Sequence, residues 1–233
     1  MFDGKMKALT FSYDDGVTQD IRLVELFNKY GMKATFNINS GLLGKSVELI
    51  REGKHVSHNK VSAQEVRDIY RGHEIAAHTL THPLLVKIED RSEIIRQVEE
   101  DRARLTDIAG YEVVGFAYPG GGINYDARVS RIIKENTCVK YCRTTVSSHS
   151  FGISDNLFEF KPSVYHHGEW DKLFLLGERF LNLKTDTPAV YYVWGHSYEF
   201  DIHGTWERFE EFLSMMSGRG DIFYGTNKEV LLK

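Results

Sequence analysis

Three polar clusters in this 233-residue chain carry residue types able to do chemistry. They are Tyr13-Asp14-Asp15-Gly16, His78-Thr79-Leu80-Thr81-His82 and Trp194-Gly195-His196-Ser197. The first two offer one carboxylate, Asp15, and two imidazoles, His78 and His82. That set can hold a divalent metal and leave positions open for water and substrate. Asp14 remains as a spare carboxylate beside Asp15. Adjacent carboxylates repel unless a cation or proton intervenes, and at a strand end they can point in different directions. The plain alternative for this pair is an Asp-Gly turn. The His78 and His82 pair faces one way if its segment makes a helical turn, although Pro83 limits such a turn. His196 reads as a third ligand, a general acid or a packed histidine. A metal, a spare base and a distant histidine are the parts of metal-assisted hydrolysis.

Two other segments bear on a site. Pro119-Gly120-Gly121-Gly122 offers backbone N–H groups that suit an oxyanion. No Lys-Ser/Thr follows it, so it is not a phosphate loop. His166 and His167 are adjacent, so on a strand at most one reaches a common pocket.

These clusters need elements to place them, and the chain alternates short apolar runs with amphipathic stretches from end to end. Strands are expected at Lys7 to Ser12, Ala34 to Asn39, His73 to Ala77, Val113 to Tyr118, Val139 to Thr145 and Ala189 to Trp194, with Asp221 to Tyr224 as a final one. Helices are expected at Thr18 to Tyr30, Arg91 to Ala109, Tyr125 to Asn136, Trp170 to Leu183 and Trp206 to Met216. A short helix opened by the capping box Ser62-Ala63-Gln64-Glu65 adds one more. Val146 to Gly168 reads as a loop excursion plus one strand. The pattern predicts an α/β fold: an irregular (β/α) barrel of seven or eight strands, a single domain over 1–233 without linker or close repeat. The clusters follow strands, and in such a barrel the loops at the strand C-terminal ends build the working face.

Composition excludes several classes. The net charge is −4 and no basic run stands out, so no nucleic-acid or membrane surface is indicated. No apolar stretch approaches the ~20 residues of a membrane span. No signal region precedes the first strand, and a cytoplasmic protein is the expectation. Cys138 and Cys142 have no metal-ligand spacing, and if they share a strand they lie too far along it for an easy disulfide; two reduced thiols are expected.

In order, these residues resemble the polysaccharide deacetylase family, the NodB-homology or family 4 carbohydrate esterases. The resemblance runs from about Lys7 to Tyr224. Phe11-Ser12-Tyr13-Asp14-Asp15-Gly16 is similar to the family's Thr-Phe-Asp-Asp-Gly, which implies Asp14 as general base and Asp15 as metal ligand. His78-Thr79-Leu80-Thr81-His82 matches His-Ser/Thr-x-x-His and implies two further ligands. Ala117-Tyr118-Pro119-Gly120-Gly121 stands at Arg-x-Pro-x-Gly, and Trp194-Gly195-His196 at Leu-x-His, implying His196 as general acid. There are three departures. Ala117 replaces the Arg that orients the base, and Arg143 at the next strand end is the substitute expected to supply that guanidinium. Trp194 replaces the Leu that lines the acetyl pocket. No Asp-Trp segment tunes the histidine; Asp155 and Asp171 are the nearest candidates.

The resemblance implies removal of an N-acetyl group from a sugar or oligosaccharide by metal-activated water. Gly120, Tyr118 and Trp194 would form the oxyanion and substrate wall. Ligand type points to zinc, with cobalt, nickel, manganese or iron compatible. One rival keeps the site and changes the substrate to another C–N bond, as in a small amide, a ureide or a cyclic imide. Another is a carbohydrate-binding protein that has lost catalysis. Oligomeric state is not legible.

Overall fold

The computed structural model describes residues 2–232. Met1 and Lys233, the end points of the single-domain expectation, lie outside the described residues. Among the described residues, ten strands and eight α-helices run in the order β1 (Lys7–Asp14), α1 (Asp20–Lys29), β2 (Thr35–Ile38), β3 (Glu48–Arg51), β4 (Lys54–Ser57), α2 (Val66–Ile69), β5 (Glu74–Ala77) and α3 (Arg91–Ala109). They continue as β6 (Gly115–Ala117), α4 (Ala127–Asn136), β7 (Tyr141–Arg143), β8 (Val164–Tyr165), α5 (Trp170–Asn182), β9 (Ala189–Gly195), α6 (Tyr198–His203), α7 (Trp206–Met216), β10 (Ile222–Tyr224) and α8 (Asn227–Leu231).

The main sheet is parallel, in the order β7-β6-β5-β2-β1-β9-β8, with β10 also paired to β1. Every residue of β1 and of β9 is buried, as expected for central strands covered on both faces. Helices turn apolar stripes onto this sheet; α1 buries Leu23, Val24, Leu26 and Phe27 at helical spacing. The sheet curls into a half-barrel, which brings Arg143 on edge strand β7 to Asp14 on β1, with three strands between them in the sheet order. Segment 157–163 closes the gap between the edges: Phe160 N–H donates to Cys142 O at 3.0 Å, and Ser163 N–H to Tyr192 O at 2.8 Å.

Most expected elements are present, some shortened by a residue or two at the ends. Four features differ. The Ser62–Glu65 contact exists, but it closes a turn, and the helix is the single turn Val66–Ile69 after it. The antiparallel hairpin β3–β4 was not expected. Nor was α6, which follows His196 after one residue, nor α8 after the last strand. Both cysteines are free, Cys142 buried and Cys138 exposed. Among the described residues no helix is long and apolar enough to cross a membrane.

Candidate active site

Parallel register aligns the strand ends. Asp14 pairs with Asn37, Tyr13 with Gly195, and Ala117 with Arg143. The chemistry-bearing residues therefore emerge on one rim. Asp14, Asp15, His82, Gly120, Trp194 and His196 line one cavity of about 380 Å³, joined by Arg51, Thr145, Tyr165 and Tyr198.

The candidate ligands Asp15, His78 and His82 come together without a helix. The His78–His82 segment is a loop with Thr79 and His82 at positive φ (68° and 61°), not the helical turn the spacing suggested. Such backbone is retained where surroundings over-determine it. Here α3 does so: Asp101 accepts from His78 N–H at 2.9 Å, and Gln97 from Leu80 N–H at 2.8 Å and Thr81 N–H at 3.1 Å. Asn39 donates to the His78 and Thr79 carbonyls. These contacts explain why a helix rich in charge turns Gln97 and Asp101 inward.

His78 Nδ1–H donates to Ala117 O at 2.8 Å, which fixes the tautomer and aims Nε2 at the rim. His82 Nε2 lies 3.5 Å and His78 Nε2 4.0 Å from Asp15 Oδ1. Burial pushes His78 down to about 4 and lowers His82, so both imidazoles are neutral near pH 7 and free to ligate. Burial alone would raise the Asp15 carboxyl. The His58 hydrogen bond and the charges of Lys60 and His196 overcome that and hold it well below the usual carboxylate range. One carboxylate and two neutral imidazoles within 4.8 Å of one another fit a divalent cation.

Sequence reading missed His58 and Lys60. His58 Nε2–H donates to Asp15 Oδ2 at 3.1 Å, and Lys60 Nζ to the Asp15 carbonyl at 2.7 Å. They orient Asp15 so that its other oxygen faces the histidines. No periodicity marks this stretch, so only the fold reveals them.

Asp14 is held on both oxygens. Asn37 Nδ2 donates to Oδ1 at 2.7 Å, and Arg143 Nη2 donates to Oδ2. Arg143 is fully buried, and its guanidinium lies 4.4 Å over the Trp194 ring. Trp194 in turn stacks on Tyr165 with centroids 4.4 Å apart. Asp14 Oδ2 is also 3.9 Å from His78 Nε2 and 4.0 Å from His196 Nε2, between the ligand set and the distant histidine.

His196 has a carboxylate partner that the sequence reading did not find. Glu199, in the first turn of α6, places Oε1 3.3 Å from His196 Nδ1, in contact though not aligned as a hydrogen bond. Its Oε2 accepts from the His196 backbone N–H at 3.2 Å. Tyr165 OH also donates to Glu199. Burial opposes charging His196, but Glu199, helped by Asp15 and Asp14, pushes it up to about 9. Burial would likewise raise Glu199, and the His196 charge and contact hold it at about 2. Asp155 is exposed, and Asp171 pairs with Arg208 at the surface, so neither reaches His196. The available signal was the i, i+3 spacing in His196-Ser197-Tyr198-Glu199.

Tyr118 does not form a wall of the cavity. One residue past β6, its ring turns into the core, stacks on Tyr125 and donates its hydroxyl to Phe158 O at 2.9 Å. His166 is buried, stacked on Phe200 at 4.4 Å, and burial pushes it down to about 3. His167 points away toward His203.

The polysaccharide deacetylase family model matches residues 2–138, more than half of the chain. The chain belongs to this family. Its fold is shared with a family 4 acetyl xylan esterase from Clostridium thermocellum in complex with a cobalt ion, at 16% identity and TM-score 0.58 over 97% of this chain and 90% of that one. A family 4 pseudoenzyme from Bacillus anthracis is similar at 19% identity and TM-score 0.57 over 99% and 66%. A Streptococcus pyogenes deacetylase in complex with acetate is similar at 18% identity and TM-score 0.51 over 64% and 61%. The chain spans about two thirds of the length of these last two proteins. No curated protein sequence matches the chain significantly.

Proposed function

We propose that this polysaccharide deacetylase family member is a metal-dependent hydrolase that removes N-acetyl groups from a sugar or oligosaccharide. The family's fold also serves a pseudoenzyme, so the reading rests on the site. The observation that carries it is the convergence of Asp14, Asp15, His78, His82 and His196 on one cavity rim, with Asp14 clamped by Asn37 and Arg143.

Asp15, His78 and His82 would hold the cation, which when bound acidifies water and polarises the acyl carbonyl. Asp14 takes the proton of the attacking water; its two fixed hydrogen bonds leave it no freedom to turn away. Arg143 positions that carboxylate in the role the family's missing arginine implies. His196 is charged at neutral pH through Glu199, and so carries the proton that the leaving amine needs. Gly120 also lines the cavity, and its backbone N–H is assigned to the oxyanion. Tyr165, Trp194 and Tyr198 give the cavity an aromatic lining, with the Trp194 ring held between Arg143 and Tyr165, in a cavity within the usual small-molecule range of about 300–1,000 Å³. Trp194 fills the place of a smaller residue and narrows the acyl end, which favours acetyl over longer groups.

A product panel tests the reading. Metal-loaded protein is offered N-acetylated and O-acetylated sugars, simple amides, ureides and cyclic imides, and products are identified by NMR. Acetate and free amino sugar are expected. Turnover of ureides or cyclic imides alone would move the assignment to another C–N bond on the same site. Sugar binding without any product would identify a binding protein.

A further inference from the structure

A second group of potential ligands lies outside the catalytic rim. Glu52 sits in the tight turn of the β3–β4 hairpin, with Glu52 and Gly53 both at positive φ (54° and 73°). His167 follows β8, and His203 ends α6. The two imidazoles stack with centroids 4.3 Å apart, and His203 Nε2 is 3.9 Å from Glu52 Oε2. One ligand atom from each residue lies within 4.8 Å of the others. His203 Nε2 is buried and has no hydrogen-bond partner, a costly state for a polar atom unless something fills it. The nearest cations are engaged elsewhere. Lys54 Nζ donates to Ile202 O at 2.8 Å, and Arg51 donates to Tyr198 OH at 2.8 Å and lies 3.5 Å from Glu199. Glu52 itself is mostly exposed and can swing inward.

We propose that Glu52, His167 and His203 form a second divalent-cation site, of the zinc-binding class, that fastens the β3–β4 hairpin to the barrel beside the catalytic cavity. Two imidazoles and one carboxylate suit borderline divalent ions such as zinc rather than calcium or magnesium. The hairpin has little apolar hold, because nearly all of its residues are exposed or half-exposed: Val56 and Leu49 pack against Val17, Tyr198 and Ile202, and a few polar contacts from Arg51, Lys54 and Gln19 add to them. Its position gives it consequence. Arg51, the neighbour of Glu52, lines the catalytic cavity and touches the Glu199 carboxylate that holds His196 charged. A cation on Glu52 would fix Arg51 at the cavity mouth without contributing to the catalytic ligand set.

Zinc stoichiometry on tag-free, metal-stripped protein tests this, measured by equilibrium dialysis and mass spectrometry of the metal. Wild type is expected to bind two zinc ions, His203→Gln and His167→Asn one each, and the His78→Gln/His82→Gln double variant one. Circular dichroism in chelator checks that each variant is folded. The catalytic and hairpin sites are thereby read separately. A wild-type zinc count left unchanged by both His203→Gln and His167→Asn overturns the proposal. Trypsin supplies a second readout, since Arg51 and Lys54 flank the turn. At zinc ten times its dissociation constant, hairpin opening and cleavage should slow roughly tenfold in wild type and in the His78→Gln/His82→Gln variant, and not in His203→Gln. Cleavage indifferent to zinc in wild type overturns the fastening role.

Discussion

Replacing Arg143 with Ala separates a positioning role from a purely structural one. The guanidinium is fully buried, donates to Asp14 and covers the Trp194 ring at 4.4 Å. Removing one partner of a buried ion pair typically costs about 3–5 kcal/mol, because the other charge is left uncompensated. Asn37 still donates to Asp14 at 2.7 Å, which places the cost near the lower end, about 3 kcal/mol. For a chain of this length each kcal/mol shifts Tm by roughly 2–4 °C, so a fall of roughly 6–12 °C is expected in a calorimetric or fluorescence melt. The variant is then still folded at 25 °C, and its kinetics report the site. Arg143 does not line the cavity, so KM should hold. Asp14 loses its second anchor, and a displacement of about 1 Å at a catalytic group costs roughly 100-fold in kcat. Arg143→Lys keeps the charge but not the planar stacking on Trp194, and should fall between. An Ala variant with a lowered Tm and unchanged kcat would refute the positioning argument and leave Arg143 as a structural residue.

Further expectations follow from the same geometry. In the proposed mechanism His196 protonates the leaving group; it is pushed up to about 9, so the rate should decline as pH rises through about 9. Glu199→Gln removes the main charge that raises it, and the basic limb should move toward the ordinary histidine value near 6.5; superimposable limbs would exclude Glu199 from this role. Gly195→Ala would put a Cβ 1.9 Å from His166 Nδ1, in a ring held against Phe200, and should lower Tm by several degrees; an unchanged melt would show that the ring can move. His82→Ala should lose the catalytic cation with little change in fold, because its ring is partly exposed at the rim; retention of full metal affinity would remove it from the ligand set.

The sequence made the sheet legible because its strands are buried on both faces and read as apolar runs, with a polar cluster after each of the important ones. β1 shows why this works: eight buried residues end on Asp14, and position alone places the carboxylates. The hairpin was illegible for the opposite reason. Glu48–Arg51 buries no residue fully, so no period-2 alternation marks it, yet it delivers Arg51 to the cavity. α6 is six residues long, too short to show a helical period, so the return of Glu199 onto His196 was hidden. His78 and His82 were found by spacing, but the geometry behind that spacing was a strained loop pinned by α3, and the anchors Gln97 and Asp101 sit inside a helix whose charge suggested only solvent. Tyr118 stood one residue beyond a strand end, where facing cannot be told from sequence.

The most direct test is acetate release from N-acetylated chito-oligosaccharides by metal-loaded wild type and Asp14→Asn, with bound metal measured in both. The account predicts release by wild type, none by Asp14→Asn, and equal metal content. Release by both proteins, or by neither with the metal in place, would contradict it.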